Sequence, residues 1–320
     1  MMARVLVTGA NGFIGSHLCE YLLHQGYQVR ALVRRTSNRQ WLEGLPVELF
    51  FGDLTSPDTL KDAVAGVQAV LHTAAVVRAR RQEDFVQVNY VGTRVLARLA
   101  AEAGVERFVL FSSVAAAGPG SPDRPLDESR TPMPVSNYGR AKLAAENAVL
   151  ELRGQMKVVI LRFPAVYGPR DRDGLMLWRT FARGWAPVLG GTFSLIYVAD
   201  AVRAAVLAME RDVPSGAIYF VSDGNCYNYD IIAREWERIT GKRLRRLRVP
   251  LVLGMLAARI YSWLKREGTI FNPDKLRELC QQCWVCENRR AEAELGFKPE
   301  YDLCRGGEIT LRWYKERGWI

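Results

Sequence analysis

Short apolar runs rich in β-branched residues alternate with helical patterns through the first half of the chain. Helical stretches fall between the runs, including 13–25, 83–103 and 136–153. Strands that alternate with helices form right-handed crossovers, and so a parallel sheet covered on both faces. The pattern therefore predicts a doubly wound α/β fold, with strands at 3–8, 27–33, 47–51, 68–72, 107–111 and 157–163.

The alternation weakens after Gly168. One more strand, near 217–223, is predicted to return to the main sheet. Residues 118–134 are rich in proline, glycine, serine and aspartate, and are predicted to form a loop that could border a site. The chain thus divides into residues 1–168 and a smaller region, mainly 169–320, whose boundaries are discontinuous.

A glycine-rich turn follows the first predicted strand. Gly9, Gly12 and Gly15 lie where the strand must turn into a helix. Glycines there permit a tight turn, a close approach to a pyrophosphate and close packing of helix on strand. The N-terminus of the helix adds free N–H groups and a positive dipole end. The turn predicts a phosphate or dinucleotide site, although alone it is weak evidence.

A second motif lies on the helix predicted at 136–153. Tyr138 and Lys142 are four residues apart and share one face, and Ser112 and Ser113 stand upstream. An ammonium near a phenol favours the phenolate, which lets the tyrosine exchange a proton with a substrate hydroxyl. The alternative is an ordinary amphipathic pair.

The glycine turn, the serine pair and the Tyr-x-x-x-Lys motif, in this order, resemble the extended short-chain dehydrogenase/reductase family (the NAD-dependent epimerase/dehydratase superfamily). The resemblance covers nearly the whole chain and includes the segments 72–75, 89–93, 162–169 and 294–299. It implies a Rossmann-type sheet, with residues 1–168 as the dinucleotide-binding domain and 169–320 mainly as the substrate-binding region. These motifs are specific for the superfamily and much less so for a substrate.

The resemblance also implies roles for individual residues. Tyr138 would be the general acid/base, Lys142 would hold the nicotinamide ribose, and Ser113 would hydrogen-bond the substrate oxygen. Ser113 is preferred to Ser112 because it stands five residues before Gly118. Besides Tyr138 and Lys142, the cofactor contacts implied by the family pattern are Gly9, Asn11, Gly12, Phe13, Ile14, Gly15, Asp53, Leu54, Thr73, Ala74, Ala75, Phe163 and Val166.

The end of the second strand bears on the choice of cofactor. An acidic residue there binds the ribose hydroxyls of NAD, whereas an arginine accommodates the 2′-phosphate of NADP. This chain has Arg34 and Arg35, followed by Ser37, and no acid. NADP is therefore predicted, with Arg34 as the main contact and Arg35 and Ser37 in support. NAD remains the alternative, in which both arginines belong to a solvated turn.

The residues after Ser113 bear on the substrate. In relatives that dehydrate sugar nucleotides, acidic residues directly follow this position, whereas positions 114–117 here are valine and three alanines. The resemblance therefore argues against sugar dehydration. Carbonyl reduction, alcohol oxidation and 4-epimerisation remain. The leading hypothesis is an oxidoreductase for a hydrophobic, sterol-like or lipid alcohol/ketone pair, as in the dihydroflavonol-reductase and 3β-hydroxysteroid-dehydrogenase branch. The alternative is a nucleotide-sugar 4-epimerase. Arg78, Arg80 and Arg81 either bind an anionic group of the substrate or lie in a solvated loop.

The composition of the chain bears on its binding partners and on its cellular compartment. The 320 residues carry a net charge of +10, which favours anionic partners, but no nucleic-acid recognition motif accompanies the charge. The first strand begins at residue 3, which leaves no room for a signal peptide, so a cytoplasmic protein with reduced cysteines is expected. Cys280, Cys283 and Cys286 are spaced three apart, yet no metal site is predicted because no histidine lies near them.

Residues 249–264 are almost wholly apolar and are flanked by basic residues. Sixteen residues are too few to span a bilayer, which needs about 20. The segment is either a core helix of the substrate region or a helix lying in the interface of an anionic membrane. By analogy with the family, a homodimer is also expected, formed through the helices at 83–103 and 136–153.

Overall fold

A seven-stranded, all-parallel sheet organises the protein. The computed structural model describes residues 3–79, 81–188, 190–248 and 273–320. The strands are β1 (Arg4–Thr8), β2 (Gln28–Val33), β3 (Glu48–Phe51), β4 (Ala69–His72), β5 (Arg107–Ser113), β6 (Lys157–Phe163) and β11 (Ala217–Phe220). Their order in the sheet is β11-β6-β5-β4-β1-β2-β3, which confirms the predicted doubly wound fold. Successive strands are added outward from β1 to β3 on one side and then from β4 to β11 on the other, and ligands of such sheets bind at this switch point between β1 and β4.

Helices cover both faces of this sheet. On one face α1 (Phe13–His24) packs beside α8 (Val198–Glu210), and on the other α4 (Thr93–Glu102) packs beside α6 (Asn137–Leu150). β1 shows the underlying alternation, because Val5 and Val7 belong to one buried cluster and Leu6 to the other. The other α-helices of the described residues are α2 (Lys61–Val64), α3 (Gln82–Phe85), α5 (Val114–Ala117), α7 (Leu175–Ala182), α9 (Tyr229–Thr240), α10 (Pro273–Leu279) and α11 (Leu303–Glu316).

The C-terminal half adds short parallel pairs near the carboxyl ends of the main strands. β7 (Ala165–Tyr167) pairs with β10 (Leu195–Tyr197), β8 (Trp185–Val188) with β12 (Arg245–Arg248), and β9 (Thr192–Phe193) with β13 (Cys283–Trp284). β11 pairs with β6 and so returns to the main sheet, as predicted. One buried cluster contains residues of both halves, so the division at 168 stays a prediction.

Two details differ from the regular elements predicted. β5 runs on to Ser113, two residues beyond the predicted end. The helix predicted at 83–103 consists of α3, a π-helical stretch (Val86–Gly92) and α4. Such π stretches occur often at functional sites, and this one contains the buried Asn89. Within the described residues, no helix has the length and apolar character needed to cross a bilayer. The segment 249–264 lies outside the described residues.

A buried ion pair joins α6 to the sheet. Glu146 and Arg162 are 1% and 3% exposed, and the guanidinium donates to both carboxylate oxygens, at 3.0 and 2.7 Å. The Ser112 hydroxyl donates to the same carboxylate. Each charge is therefore compensated by its partner and by further hydrogen bonds, as a buried pair requires.

Glu146→Gln should lower the free energy of unfolding by about 3–5 kcal/mol, because it leaves the buried Arg162 guanidinium without a counter-charge. Urea denaturation provides the measurement. The matched control is Glu308→Gln, which breaks an exposed pair with Arg312 and should cost less than about 1 kcal/mol. Equal losses for the two variants would contradict the importance given to the buried pair.

Candidate active site

The turn between β1 and α1 leaves room only for backbone. Gly9 has a φ of +65°, and a Cβ atom there would lie 2.9 Å from the backbone N and Cα of Ala74. A Cβ atom at Gly15 would collide with the carbonyl oxygen of Gly9. No side chain of the described residues caps α1, and its first turn holds no acid. The free N–H groups and the dipole of α1 thus suit a diphosphate, and the turn fits a dinucleotide.

A cavity of about 1070 Å³ runs from this turn along the carboxyl edge of the sheet. It brings together nearly all of the predicted site residues. The exception among the described residues is Arg35, whose guanidinium lies over the Phe51 ring, 5.0 Å from its centroid. The predicted residues that line the cavity are Gly9, Asn11, Gly12, Phe13, Ile14, Gly15, Arg34, Asp53, Leu54, Thr73, Ala74, Ala75, Ser113, Tyr138, Lys142, Phe163 and Val166.

Ser113, Tyr138 and Lys142 meet where β5 ends and α6 begins. Ser113 is the last residue of β5, and its Oγ accepts the N–H of Ala115 at 3.1 Å. Tyr138 is the second residue of α6. A Cβ atom at Gly139 would collide with the Ala115 carbonyl, so glycine allows α6 to lie close to α5. Ser112 uses its hydroxyl on Glu146 instead, which leaves Ser113 as the serine beside Tyr138.

The two titratable groups have shifted pKa values. Burial lowers the pKa of Lys142 to about 8, although Glu146 one turn away opposes the shift. Burial, and then the Glu278 carboxylate, raise the pKa of Tyr138, while the Ser113 hydroxyl lowers it. The Lys142 ammonium donates to the Phe111 carbonyl at 2.5 Å. The sequence suggested that the lysine favours the phenolate; in this arrangement the stronger effects keep the phenol protonated, ready to donate.

A layer of buried polar side chains supports the strand ends behind the site. His72 lies between Thr8 Oγ1 at 2.7 Å and Thr93 Oγ1 at 2.8 Å, and burial lowers its pKa to about 3. Asn89 accepts the N–H of Val76 at 2.7 Å and donates to its carbonyl at 2.8 Å. His72 is thus a neutral clip between strands and a helix, and Asn89 holds the chain that follows β4.

Comparison with known proteins identifies the family. The model of the NAD dependent epimerase/dehydratase family matches residues 5–222.

This chain belongs to the NAD dependent epimerase/dehydratase family.

Several relatives are similar along their whole length. The chain is 33% identical to the ceramide reductase of Caulobacter vibrioides, over 99% of this chain and 96% of the relative. It is 34% identical to sterol demethylase protein B of Methylococcus capsulatus, over 98% and 99%. The solved structure of MoeE5 in complex with UDP-glucuronic acid and NAD has a TM-score of 0.80 and 27% identity, covering 98% of this chain and all of that one. The protein is an NAD(P)-dependent oxidoreductase of the extended short-chain dehydrogenase/reductase type.

Many of the other residues that line the cavity are apolar or aromatic and form an apolar wall, next to charged lining residues such as Arg78, Asp171 and Asp274. The wall residues come from the segment after β4, α3, the π stretch, α5, α7, β9, β10, α9, α10, β13 and α11. Val114 and Ala115 belong to this wall, as the sequence suggested. The apolar and aromatic residues of this wall are Val76, Val77, Phe85, Val88, Val114, Ala115, Leu177, Trp178, Phe193, Leu195, Tyr229, Ile232, Leu279, Trp284 and Leu303.

Several arginines that line the cavity have local partners. Arg78 forms an ion pair with Asp173, and Arg170 donates to Glu20 at 2.5 Å. The Arg172 guanidinium lies over the Trp319 ring, 5.7 Å from its centroid. Arg81 is exposed at the start of α3, and Arg80 lies outside the described residues. Of these arginines, Arg78 and Arg170 are therefore partly neutralised by acidic partners.

Two further side chains of the cavity were not predicted from the sequence. Asp274 and Glu278, on α10, line it and contact the start of α6. No motif marks them, since their partners are more than 130 residues away in sequence. Beside Arg34, Asn38 and Trp41 also line the cavity. Within the described part of the chain, no group of three histidine, cysteine or acidic side chains is placed to hold a metal ion.

Proposed function

We propose that this protein interconverts a secondary alcohol and a ketone on a hydrophobic, sterol-like or lipid substrate, with NADP as the cofactor. The observation that carries the proposal is the number of apolar and aromatic side chains that line the cavity, together with the acidic partners of Arg78 and Arg170. An apolar lining with few placed polar groups binds an apolar ligand by removing its surface from water. The names of the ceramide and sterol relatives support this substrate class.

The proposed mechanism assigns one task to each polar group. The nicotinamide, when bound, supplies the hydride for the carbonyl carbon. The glycine turn and the N-terminus of α1 hold the pyrophosphate, and Lys142 holds the ribose. Ser113 donates a hydrogen bond to the substrate oxygen, and the Tyr138 hydroxyl gives that oxygen its proton as the ketone becomes an alcohol. In the reverse direction the phenolate takes the proton back. The apolar wall excludes water from the reacting carbon.

Tyr138→Phe removes the exchangeable proton and keeps the ring. Turnover of a sterol ketone dispersed in detergent micelles should fall by about 10²–10⁴-fold, the usual contribution of a placed acid/base. NADPH binding, followed by fluorescence titration, should persist because the glycine turn is intact. Near-normal turnover by this variant would mean that Tyr138 is not the acid/base.

The preference for NADP rests on the end of β2. Arg34 lines the cavity there, and no acidic side chain stands at this position. A guanidinium can form two parallel hydrogen bonds to a phosphate. Arg35, stacked on Phe51, keeps only a supporting role in this proposal.

Arg34→Asp should reverse the preference, because an acid there repels the 2′-phosphate and accepts hydrogen bonds from ribose hydroxyls. Wild type should use NADPH better than NADH, with kcat/KM for NADPH falling by about 10-fold or more in the variant. Lys61→Asp, a substitution outside the cavity lining, is the charge-matched control. If wild type works better with NADH, the assignment of NADP is wrong.

A nucleotide-sugar 4-epimerase is the alternative, since MoeE5 is solved with a UDP-sugar. Tight UDP-glucose binding without turnover of any sterol or long-chain ketone would favour it.

Two structural expectations also stay predictions. They are the homodimer formed through the helices around α4 and α6, and the division of the chain near residue 168.

We also propose that the protein meets its substrate at an anionic membrane surface. Trp185 and Pro187 on β8 are in register with Arg245 and Leu247 on β12, so all four face one side of this small sheet. Trp185 is 44% and Leu247 52% exposed. Arg183, Lys242 and Arg243 are exposed nearby in sequence. Tryptophan and aliphatic side chains among cations suit the headgroup region of an anionic bilayer.

Flotation with phosphatidylglycerol vesicles at low salt should recover the protein, and phosphatidylcholine vesicles or high salt should not, because salt screens the attraction. The double variant Trp185→Ser/Leu247→Ser should bind more weakly. Met133→Ser removes a more exposed methionine outside this face and serves as the control. Equal binding by the double variant and wild type would remove this face from the proposal.

A further inference from the structure

Two carboxylates of helix α10 accept hydrogen bonds from the first turn of α6 and from the serine that caps it. Asp274 and Glu278 are four residues apart and share one face of α10. Asp274 Oδ1 accepts the N–H of Asn137 at 2.6 Å, and Oδ2 accepts the N–H of Tyr138 at 3.0 Å. The first N–H groups of a helix have no partner within the helix. One carboxylate thus holds two of them, including the N–H of Tyr138 itself.

Glu278 makes the second contact between α10 and the start of α6. It is 6% exposed, and its Oε1 accepts the hydroxyl of Ser136 at 2.6 Å, while Oε2 accepts the Lys275 ammonium at 2.7 Å. The same Ser136 Oγ accepts the N–H of Gly139 at 2.9 Å. Its hydroxyl is therefore fixed as donor and acceptor at once. The first three N–H groups of α6 all end on side-chain oxygens whose positions depend on α10.

We propose that Asp274 and Glu278 are positioning residues of the reaction: α10, from the substrate region, fixes the first turn of α6 and so places the Tyr138 hydroxyl against Ser113 and the substrate oxygen. This inference rests on the proposed function, because it takes Tyr138 as the acid/base. A negative carboxylate at a helix N-terminus is itself favourable. Since α10 also lines the cavity, the residues that bind the substrate and the turn that carries the acid form one hydrogen-bonded unit.

The carboxylates of α10 also act electrostatically on the Tyr138 phenol. The charged residues that α10 contributes to the cavity are Asp274, Lys275 and Glu278. Lys142 of α6 faces the same cavity. β5 contributes the neutral Ser113, and α3 the Phe85 ring, 6.1 Å from the Tyr138 ring. Burial raises the pKa of Tyr138 most, and Glu278 raises it further. Removing the charge of Glu278 should therefore lower the pKa of Tyr138.

The positioning role is tested by two variants of Asp274. Asp274→Ala removes both acceptor oxygens, and Asp274→Asn removes one of them. For the sterol ketone, kcat should fall by about 10- to 100-fold in the alanine variant and less in the asparagine variant. NADPH affinity should stay unchanged. Glu287→Gln, a surface carboxylate paired with Arg289, is the control. Unchanged kcat in both variants, or kcat and NADPH affinity lost together, would overturn the proposal; the second result would indicate a role in folding only.

The effect of the Glu278 charge on Tyr138 is tested by Glu278→Gln, which removes the charge and keeps an acceptor oxygen for Ser136. NMR of isotopically labelled tyrosine, with Tyr138→Phe to assign the signal, should show a lower pKa for Tyr138, and the alkaline limit of ketone reduction should move to lower pH. An unmoved titration would overturn this part. An active Tyr138→Phe would instead overturn the proposed function. An inactive Tyr138→Phe with wild-type behaviour of the Asp274 and Glu278 variants would refute the positioning role alone.

Discussion

The orientation of one helix governs this site. Tyr138, Lys142 and Glu146 follow each other at intervals of four on α6, so the face that carries the chemistry also carries the charge paired with Arg162. A buried ion pair tolerates little rotation, since a displaced charge would stay desolvated without its partner. Because Arg162 belongs to β6 and Ser112 to β5, the pair sets the rotation of α6 against both strands. The phenol and the ammonium then point into the cavity by the pitch of the helix.

Desolvation gives the site its acid–base character. Burial disfavours the charged form of either group, so it raises the pKa of the phenol and lowers that of the ammonium. Lys142 keeps a pKa of about 8 because Glu146 lies one turn away. A phenol that stays protonated beside an ammonium that can release its proton near neutrality is suited to donation toward a carbonyl oxygen. Burial of the Tyr138 phenol thus keeps the phenol protonated, ready to donate to a carbonyl oxygen.

The sequence predicted those parts of the fold that depend on local patterns. Alternating strands and helices, the glycine turn and the Tyr-x-x-x-Lys spacing each act over a few residues, and the parallel sheet and the cavity residues follow from them. Arg34 and Arg35 illustrate the limit, because adjacent residues of a turn point in different directions and only packing on Phe51 separates them. The π stretch around Asn89 has no periodic signature. Asp274 and Glu278 were missed because their partners come from the other half of the chain.

The location of those two carboxylates bears on how the fold divides its work. Ser113 ends β5 and accepts the N–H of Ala115. Lys142 on α6 donates to the β5 carbonyl of Phe111. Tyr138 is different, because its N–H and that of Asn137 are bonded to Asp274 of α10, more than 130 residues later in the chain. The residues proposed to hold the cofactor therefore lie between Gly9 and Val166, whereas the backbone N–H of Tyr138 is bonded to Asp274 of α10. In the proposed function, α10 would thus both line the substrate cavity and hold the turn that carries the acid.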